Sequence, residues 1–397
     1  MSGSAVGERR LRGVAGRLEA LLPRPQDFPS PLRGPRTAAR VGGWLGAAFL
    51  VCFATGLYSH LLQHPVAWLP LPTRPARLYQ VTQGLHVASG TAAVPLLLVK
   101  LWSVFPRLFV RPPRAPRRLL GHLLERVSVA VLVGSCVVQL ATGLANSAQW
   151  YPWGFDFVRT HFALGAVAAG SVLVHVAVKL PLVRAALEQR VEDRPERAGA
   201  PSRRSLLRMT WLSAGVAVLA TTAAGVPGLR RVAVLAVRSG AGPQGVPVNR
   251  SAVAAAVTDL AADPGWRLLV RGPAGSTRLS REDLLAMRQR TAVLPIACVE
   301  GWSASGTWGG VAVRDVVALV GGTPQDDVTV RSLQRRGAYR ESTLPAAWVA
   351  RDDSLLALTL GGEPLHPDHG YPCRLIAPAR SGVLQTKWLG EVEVVRA

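Results

Sequence analysis

Two sets of residues in this 397-residue chain have the types and spacing to do chemistry. The first is a series of histidines. Six of the eight precede residue 180: His60, His64, His86, His122, His161 and His175. Most stand in or beside long apolar runs, where an ionisable group is costly and is a functional candidate by default. Imidazoles on facing helices of a bundle are the usual means of holding a b-type haem. His161 and His175 lie 14 residues apart, about 21 Å along a helix and nearly four turns. Both therefore project from one face, one near each side of a membrane. His86 falls at a depth similar to His161, so these two can bracket a haem near the outer surface. His60 is the competing outer ligand, and His175 is the inner candidate. His64 and His122 fall in connections and read as solvated.

The second set surrounds one thiol. Cys298 ends the run Leu294-Pro-Ile-Ala-Cys298 and precedes Val-Glu-Gly-Trp302. A β-like run followed by a glycine-bearing turn places a thiol at a strand end, facing a pocket.

Long apolar segments must position the histidines. A bilayer helix needs about 20 mostly apolar residues, and five segments qualify, near Val41–Ser59, Gln83–Ser103, Val127–Ala145, His161–Val183 and Met209–Pro227. Lys and Arg collect on the cytoplasmic side of such spans. Residues 1–40, 104–126 and 179–210 hold 22 of them, against three in 60–79 and 146–160. The N-terminus is therefore expected inside and the chain after the fifth helix outside, at the cytoplasmic membrane of a bacterium. Gln149-Trp-Tyr-Pro-Trp153 suits the headgroup zone. Ser202-Arg203-Arg204-Ser205-Leu206-Leu207-Arg208 resembles a twin-arginine export signal, which would make the fifth helix an uncleaved anchor for a domain exported already folded.

Composition agrees. Hydrophobic residues make up 49% of the chain, and the formal charge of +22 is uneven, +20 over residues 1–239 and +2 over 240–397. Basic residues set between apolar runs point to membrane lipid and exclude a nucleic-acid partner. Four cysteines do not make a disulfide scaffold, and Cys52 and Cys136, inside apolar runs, read as small buried hydrophobes. Residues 1–40 read as a disordered cytoplasmic tail without a cleavable signal peptide. Residues 41–185 are then a four-helix membrane domain, 186–239 a basic connection with the fifth helix, and 240–397 an exported domain. In that last part β-rich runs such as Trp266–Val270, Val328–Val330 and Leu355–Leu360 alternate with Gly/Pro/Asp turns. Amphipathic stretches at Ser280–Arg288 and Val313–Leu319 complete an α+β pattern.

The first four spans resemble the di-haem cytochrome b subunits of formate dehydrogenases. In that family a His just before a Trp at the inner end of the first helix helps hold the second haem. Here Arg40-Val41-Gly42-Gly43-Trp44 has Gly in that place, which leaves His175 without an inner partner and favours one haem over two.

The C-terminal resemblance is more specific. Leu294–Trp302, then Trp308-Gly-Gly-Val311, then His369-Gly-Tyr-Pro-Cys-Arg374-Leu-Ile-Ala-Pro378 with Lys387-Trp388, resemble the sulfite oxidase superfamily of molybdopterin enzymes. The branch containing the bacterial periplasmic methionine sulfoxide reductase catalytic subunit is the nearest in texture, and Pro247-Val-Asn249-Arg250 also fits it. The resemblance implies a sulfite-oxidase-type fold and a molybdenum–molybdopterin cofactor with Cys298 as the metal's thiolate ligand. It implies pterin-phosphate contacts from His369, Arg374 and Lys387, with Asn249 and Arg250 contributing. A thiolate suits a soft, pterin-bound molybdenum. Cys373 is expected only to pack.

Sulfite oxidases surround their dianion with arginines, some placed just after the Cys. Glu300 and Trp302 stand there instead, which favours a neutral or zwitterionic substrate such as a sulfoxide or N-oxide. Glu300 and Tyr339 are the candidate substrate-side groups. The cluster Arg331, Arg335, Arg336 and Arg340 reads as a solvated basic loop, or else as arginines returned to the pocket. The expected activity is oxygen-atom transfer outside the cytoplasm, with electrons drawn from the quinone pool through a b-type haem. Two alternatives stand beside it: a sulfite-type oxidase running in reverse, and a haem-free anchor carrying a ligand-binding domain.

Overall fold

The structure is a computed structural model that describes residues 23–30, 32–66, 68–188, 201–223, 229–236 and 242–395. Most of the expected N-terminal tail, part of the basic connection and the end of the expected fifth span lie outside them.

Among the described residues, four helices are long and apolar enough to cross a membrane: α1 (Pro35–Gln63), α2 (Leu78–Val104, continued by a 3-10 turn to Phe109), α3 (Pro116–Ser147) and α4 (Phe157–Glu188). α1 and α3 begin on proline, whose fixed φ and missing N–H suit a first helical position. Each helix is longer than the apolar run within it, because backbone pairing continues past the apolar stretch through residues such as Arg36, Arg40, Arg117 and Arg118. Residues 35–40, expected in a disordered tail, are thus the first turns of α1.

The expected fifth span differs. α5 runs Arg203–Thr222, about 30 Å at 1.5 Å per residue. Arg203, Arg204 and Arg208 occupy its first turns, and it is not among the four helices with the length and apolarity to cross.

The chain packs as two compact units. The first comprises Met1–Leu50, Gly90–Thr142 and Asp156–Ala217. In it Val41, Leu96 and Leu207 bring α1, α2 and α5 together, and Leu97, Cys136 and Ala168 join α2, α3 and α4. Trp44 and Trp211 meet at 4.8 Å between ring centroids. Apolar side chains such as Leu98 and Leu173 point outward, 63% and 71% exposed, as a lipid-facing surface requires.

The second unit comprises Val51–Ser89, Gly143–Phe155 and Val218–Ala397. The end of α1, the start of α2 and the end of α3 therefore cluster with the α+β part. That part holds ten strands among the described residues. One sheet is formed by β1 (Leu268–Gly272), β2 (Gly275–Leu279), β5 (Asp327–Ser332), β6 (Glu341–Leu344) and β10 (Leu389–Val395), in the order β2-β1-β10-β5-β6, with β1 parallel to β10 and the other pairs antiparallel. The second is formed by β3 (Gln289–Ala297), β4 (Ser303–Ala312), β7 (Leu355–Leu360) and β8 (Glu363–Pro364), in the order β3-β4-β7-β8, with β9 (Arg374–Ile376) on β7, all antiparallel. Strands expected around Val328–Val330 and Leu355–Leu360 form β5 (Asp327–Ser332) and β7. The two amphipathic stretches give α7 (Arg281–Ala286), after the short α6 (Thr258–Ala262), and α8 (Val313–Val317). Ser280 caps α7 by accepting from the Asp283 N–H, and Asp283 returns the bond, a reciprocal box that satisfies two otherwise orphaned donors. Leu268, Val270, Val316, Val328, Val330 and Val392 are fully buried between the first sheet and its helices.

Candidate active site

Cys298 directly follows β3 (Gln289–Ala297), and β4 begins at Ser303. The intervening turn is closed by its own backbone: the Cys298 N–H donates to the Trp302 carbonyl at 2.9 Å, and the Gly301 N–H to the Cys298 carbonyl at 3.0 Å. Gly301 has φ +94°, where a side chain would be strained. An added Cβ would also come within 3.0 Å of Val87. The glycine is thus required twice, by conformation and by close approach. Cys298 itself is 1% exposed, and all four cysteines are free thiols.

The Cys298 turn opens on a cavity. Asn249, Arg250, Tyr339, His369, Arg374 and Lys387 line it together with the thiol. Seven of the eight site residues expected in this part of the chain therefore share one pocket. Glu300 is not in the lining. Its carboxylate turns back and accepts from Trp302 Nε1 at 2.8 Å, because it sits mid-turn, two residues before that indole.

Arg374, on β9, is 3% exposed. Its guanidinium donates to the carbonyls of His369 at 3.0 Å and Gln385 at 3.1 Å and lies 5.0 Å over the Trp308 ring. Burial lowers it to about 9, so it remains cationic at neutral pH. Lys387 donates to the Asn249 side chain at 3.0 Å and to the carbonyls of Arg250 at 2.6 Å and Asp368 at 3.0 Å. Three acceptors engage its three protons. The ammonium thus ties segment 249–250 to the His369 turn. Burial first, then the Arg374 charge, bring it down to about 7. His369 is 2% exposed and donates from Nε2 to the Pro243 carbonyl at 2.7 Å. Burial holds it at about 4, neutral over the physiological range.

Gln385, which lines the pocket, and Arg380, which lies outside its lining, escaped the sequence reading. Gln385 donates to the Arg380 carbonyl at 3.2 Å, while its Oε1 is buried without a hydrogen-bond partner. Arg380, buried behind it, donates to the Thr343 carbonyl at 2.9 Å. Both fall within the closing sequence block, but neither has a spacing that marks it. Cys373, by contrast, is fully buried in the main core and its thiol is pushed up to about 12 by burial.

The basic loop does not deliver its arginines to the cavity. Arg331 is spent on Glu341, Glu391 and Glu393, and Arg340 donates to the Arg335 carbonyl at 3.3 Å. The loop's lining residues are Gln334, Gly337, Ala338 and Tyr339. Tyr339 donates to Gln63 Oε1 at 2.9 Å.

These residues fit a pterin-bound molybdenum. A buried thiol and the buried, cationic Arg374 line one cavity, and Gln385, in the same lining, keeps an unsatisfied acceptor, Oε1, that suits a ring donor of a pterin. In the helical part, His86 Nδ1 lies 2.9 Å from the Cys52 carbonyl, and His161 Nδ1 3.0 Å from Thr142 Oγ1. At the other end of α1, Lys100 Nζ donates to the Ala38 carbonyl at 2.7 Å and presses on Gly42. Sequence reasoning missed this ammonium. It stands beside the stretch where the cytochrome b resemblance lacks its histidine.

Comparison with known proteins bears on the C-terminal part. Residues 254–397 match the oxidoreductase molybdopterin binding domain. A sulfite oxidase from Arabidopsis thaliana is 32% identical over 130 residues, covering 28% of this chain and 33% of that protein. The uncharacterized oxidoreductase YuiH of Bacillus subtilis is 29% identical over 133 residues, 33% of this chain and 66% of that protein. The chain thus spans between a third and two thirds of these relatives. The sulfane dehydrogenase SoxCD of Paracoccus pantotrophus superposes with a TM-score of 0.30 at 22% identity, over 33% of this chain and 38% of that one. Cys298, Arg374 and Lys387, gathered in one cavity, lie inside the matched segment 254–397, which is similar to oxidoreductase molybdopterin-binding domains and has sulfite oxidases among its relatives.

Proposed function

We propose that the protein is a membrane-bound molybdopterin oxidoreductase that reduces a sulfoxide or N-oxide outside the cytoplasm, with electrons from the quinone pool. The observation that carries this reading is the Cys298 thiol at a strand end, inside a cavity backed by the buried Arg374 cation. Cys298 would bind the metal, Arg374 and Arg250 the pterin phosphate, and Gln385 a pterin donor, while Lys387 and His369 hold the walls. When bound, the cofactor supplies oxygen-atom transfer. The chain's own part is to orient: His369 stays neutral and fixed on Pro243, and Tyr339, held by Gln63, presents its hydroxyl group to the substrate side.

A neutral substrate is favoured because Arg331 is paired with three carboxylates and none of Arg331, Arg335, Arg336 and Arg340 lines the cavity. A dianion would need such groups bidentate and unspent. The activity named for the sulfite oxidases therefore belongs to the second reading, oxidation of an oxyanion with electrons returned to quinone. His86 and His161 would hold one b-type haem, which supplies one-electron relay. α5 would act as an uncleaved twin-arginine anchor, with the N-terminus inside and the catalytic part outside.

Cys298→Ser tests the reading. Purified from a molybdopterin-making host and supplied with reduced quinol, it should be folded yet lose turnover of sulfoxides and N-oxides. Full turnover would refute the assignment.

A further inference from the structure

The Val299 carbonyl, one residue past the reactive thiol, accepts two side-chain donors from the helical half of the sequence. Gln83 Nε2 lies 3.2 Å from it and Asn146 Nδ2 3.1 Å. They come from different helices, α2 and the end of α3. A carbonyl has two acceptor sites, and here both are filled by carboxamides. The same face of α2 does more. Gln80 donates to Ser303 Oγ at 3.1 Å, at the first residue of β4, and Val87 packs where Gly301 leaves room. Residues 80, 83 and 87 follow the i, i+3, i+7 pattern of one helix face. The whole Cys298–Ser303 turn therefore sits on this stripe.

We propose that Gln83 and Asn146 are positioning residues for Cys298: they fix the turn, and with it the direction in which the thiol enters the cavity. Glycine at 301 supplies the turn's shape, and its own two backbone bonds close it. Neither constrains how the turn leans as a body. Two donors converging on a single carbonyl from separate helices do. α2 also carries His86, three residues beyond Gln83, so the helix expected to hold the haem is the one that seats the metal-binding turn. This inference adds to the proposed function and rests on it only for the importance of Cys298. Its test does not use activity.

The test is the rate at which Cys298 is alkylated by N-ethylmaleimide in the full-length, cofactor-free protein, made in a host without molybdopterin synthesis and followed by mass spectrometry of the Cys298 peptide. Gln83→Leu with Asn146→Leu should raise the rate roughly tenfold, the combined loss of two ordinary hydrogen bonds. Gln139→Leu, on α3 but away from the turn, should leave it unchanged. The isosteric pair Gln83→Glu with Asn146→Asp keeps the shape and removes the donors when ionised. Relative to wild type at each pH, its excess alkylation should disappear as pH falls and the carboxyls regain a proton to donate. Equal rates in wild type and the Leu pair, an equal rise in the Gln139 control, or a pH-independent excess in the acidic pair would each overturn the proposal. Failure of the functional reading would look different: Cys298→Ser would keep its turnover whatever the alkylation rates.

Discussion

The Lys387 ammonium donates to the Asn249 side chain at 3.0 Å across 138 residues of sequence. With its bonds to the Arg250 and Asp368 carbonyls, it locks one wall of the cofactor cavity. Replacing it with Met leaves two part-buried carbonyls without this donor. Molybdenum content of the purified protein should fall at least several-fold, measured by elemental analysis against protein concentration.

The same lysine gives a pH signature. In the folded, cofactor-free protein its pKa is about 7, below the ordinary 10.5. Between those values the unfolded chain binds more protons than the folded one, so stability rises with pH across that window. Lys387→Met should flatten the rise, read as the midpoint of thermal unfolding between pH 7 and 10. An unchanged slope would mean that the ammonium is not buried as described.

His369 acts in a lower window. Its folded value of about 4 lies below the usual 6.5. Stability should therefore be fully present above pH 6.5 and decline as pH falls toward 4, because charging the ring forfeits its buried, neutral state. His369→Gln, which keeps a donor for the Pro243 carbonyl, should lose that decline while remaining stable at pH 7.5. Thermal unfolding at pH 5 and pH 7.5 distinguishes the two.

Arg374→Met removes donors from the His369 and Gln385 carbonyls and a cation from the Trp308 face. Two unsatisfied buried acceptors cost about 2–4 kcal/mol. Unfolding should move to visibly lower temperature, and the cofactor should be absent even when the host supplies it.

For the helical half, a reduced-minus-oxidised visible spectrum should show a b-type haem in wild type. His86→Leu and His161→Leu should abolish it, while His175→Leu and His60→Leu should retain it. A signal that survives both of the first two variants would remove these residues as ligands.

Much of this was legible in the residues. Four spans followed from apolar length, and the cavity-lining residues at both ends of the domain followed from three ordered motifs. The fifth span stands apart: α5, rich in Ala, Gly and Thr, opens on three arginines, and the end of the expected apolar run lies outside the described residues. Glu300, expected on the substrate side, accepts from Trp302 two residues on and is not in the cavity lining, a local turn geometry that spacing does not record. Gln63, Gln83 and Asn146 were invisible as site residues, since their partners are more than 150 residues away and a carboxamide near a helix end carries no pattern. Gln385 and Arg380 were hidden for a similar reason: their roles are set by burial, which spacing does not record.

The most direct measurement is X-ray absorption at the molybdenum edge on the wild-type protein and on Cys298→Ser, each loaded with cofactor. If Cys298 is the protein ligand, the variant should show one sulfur fewer around the metal. Identical sulfur counts in the two proteins would contradict it.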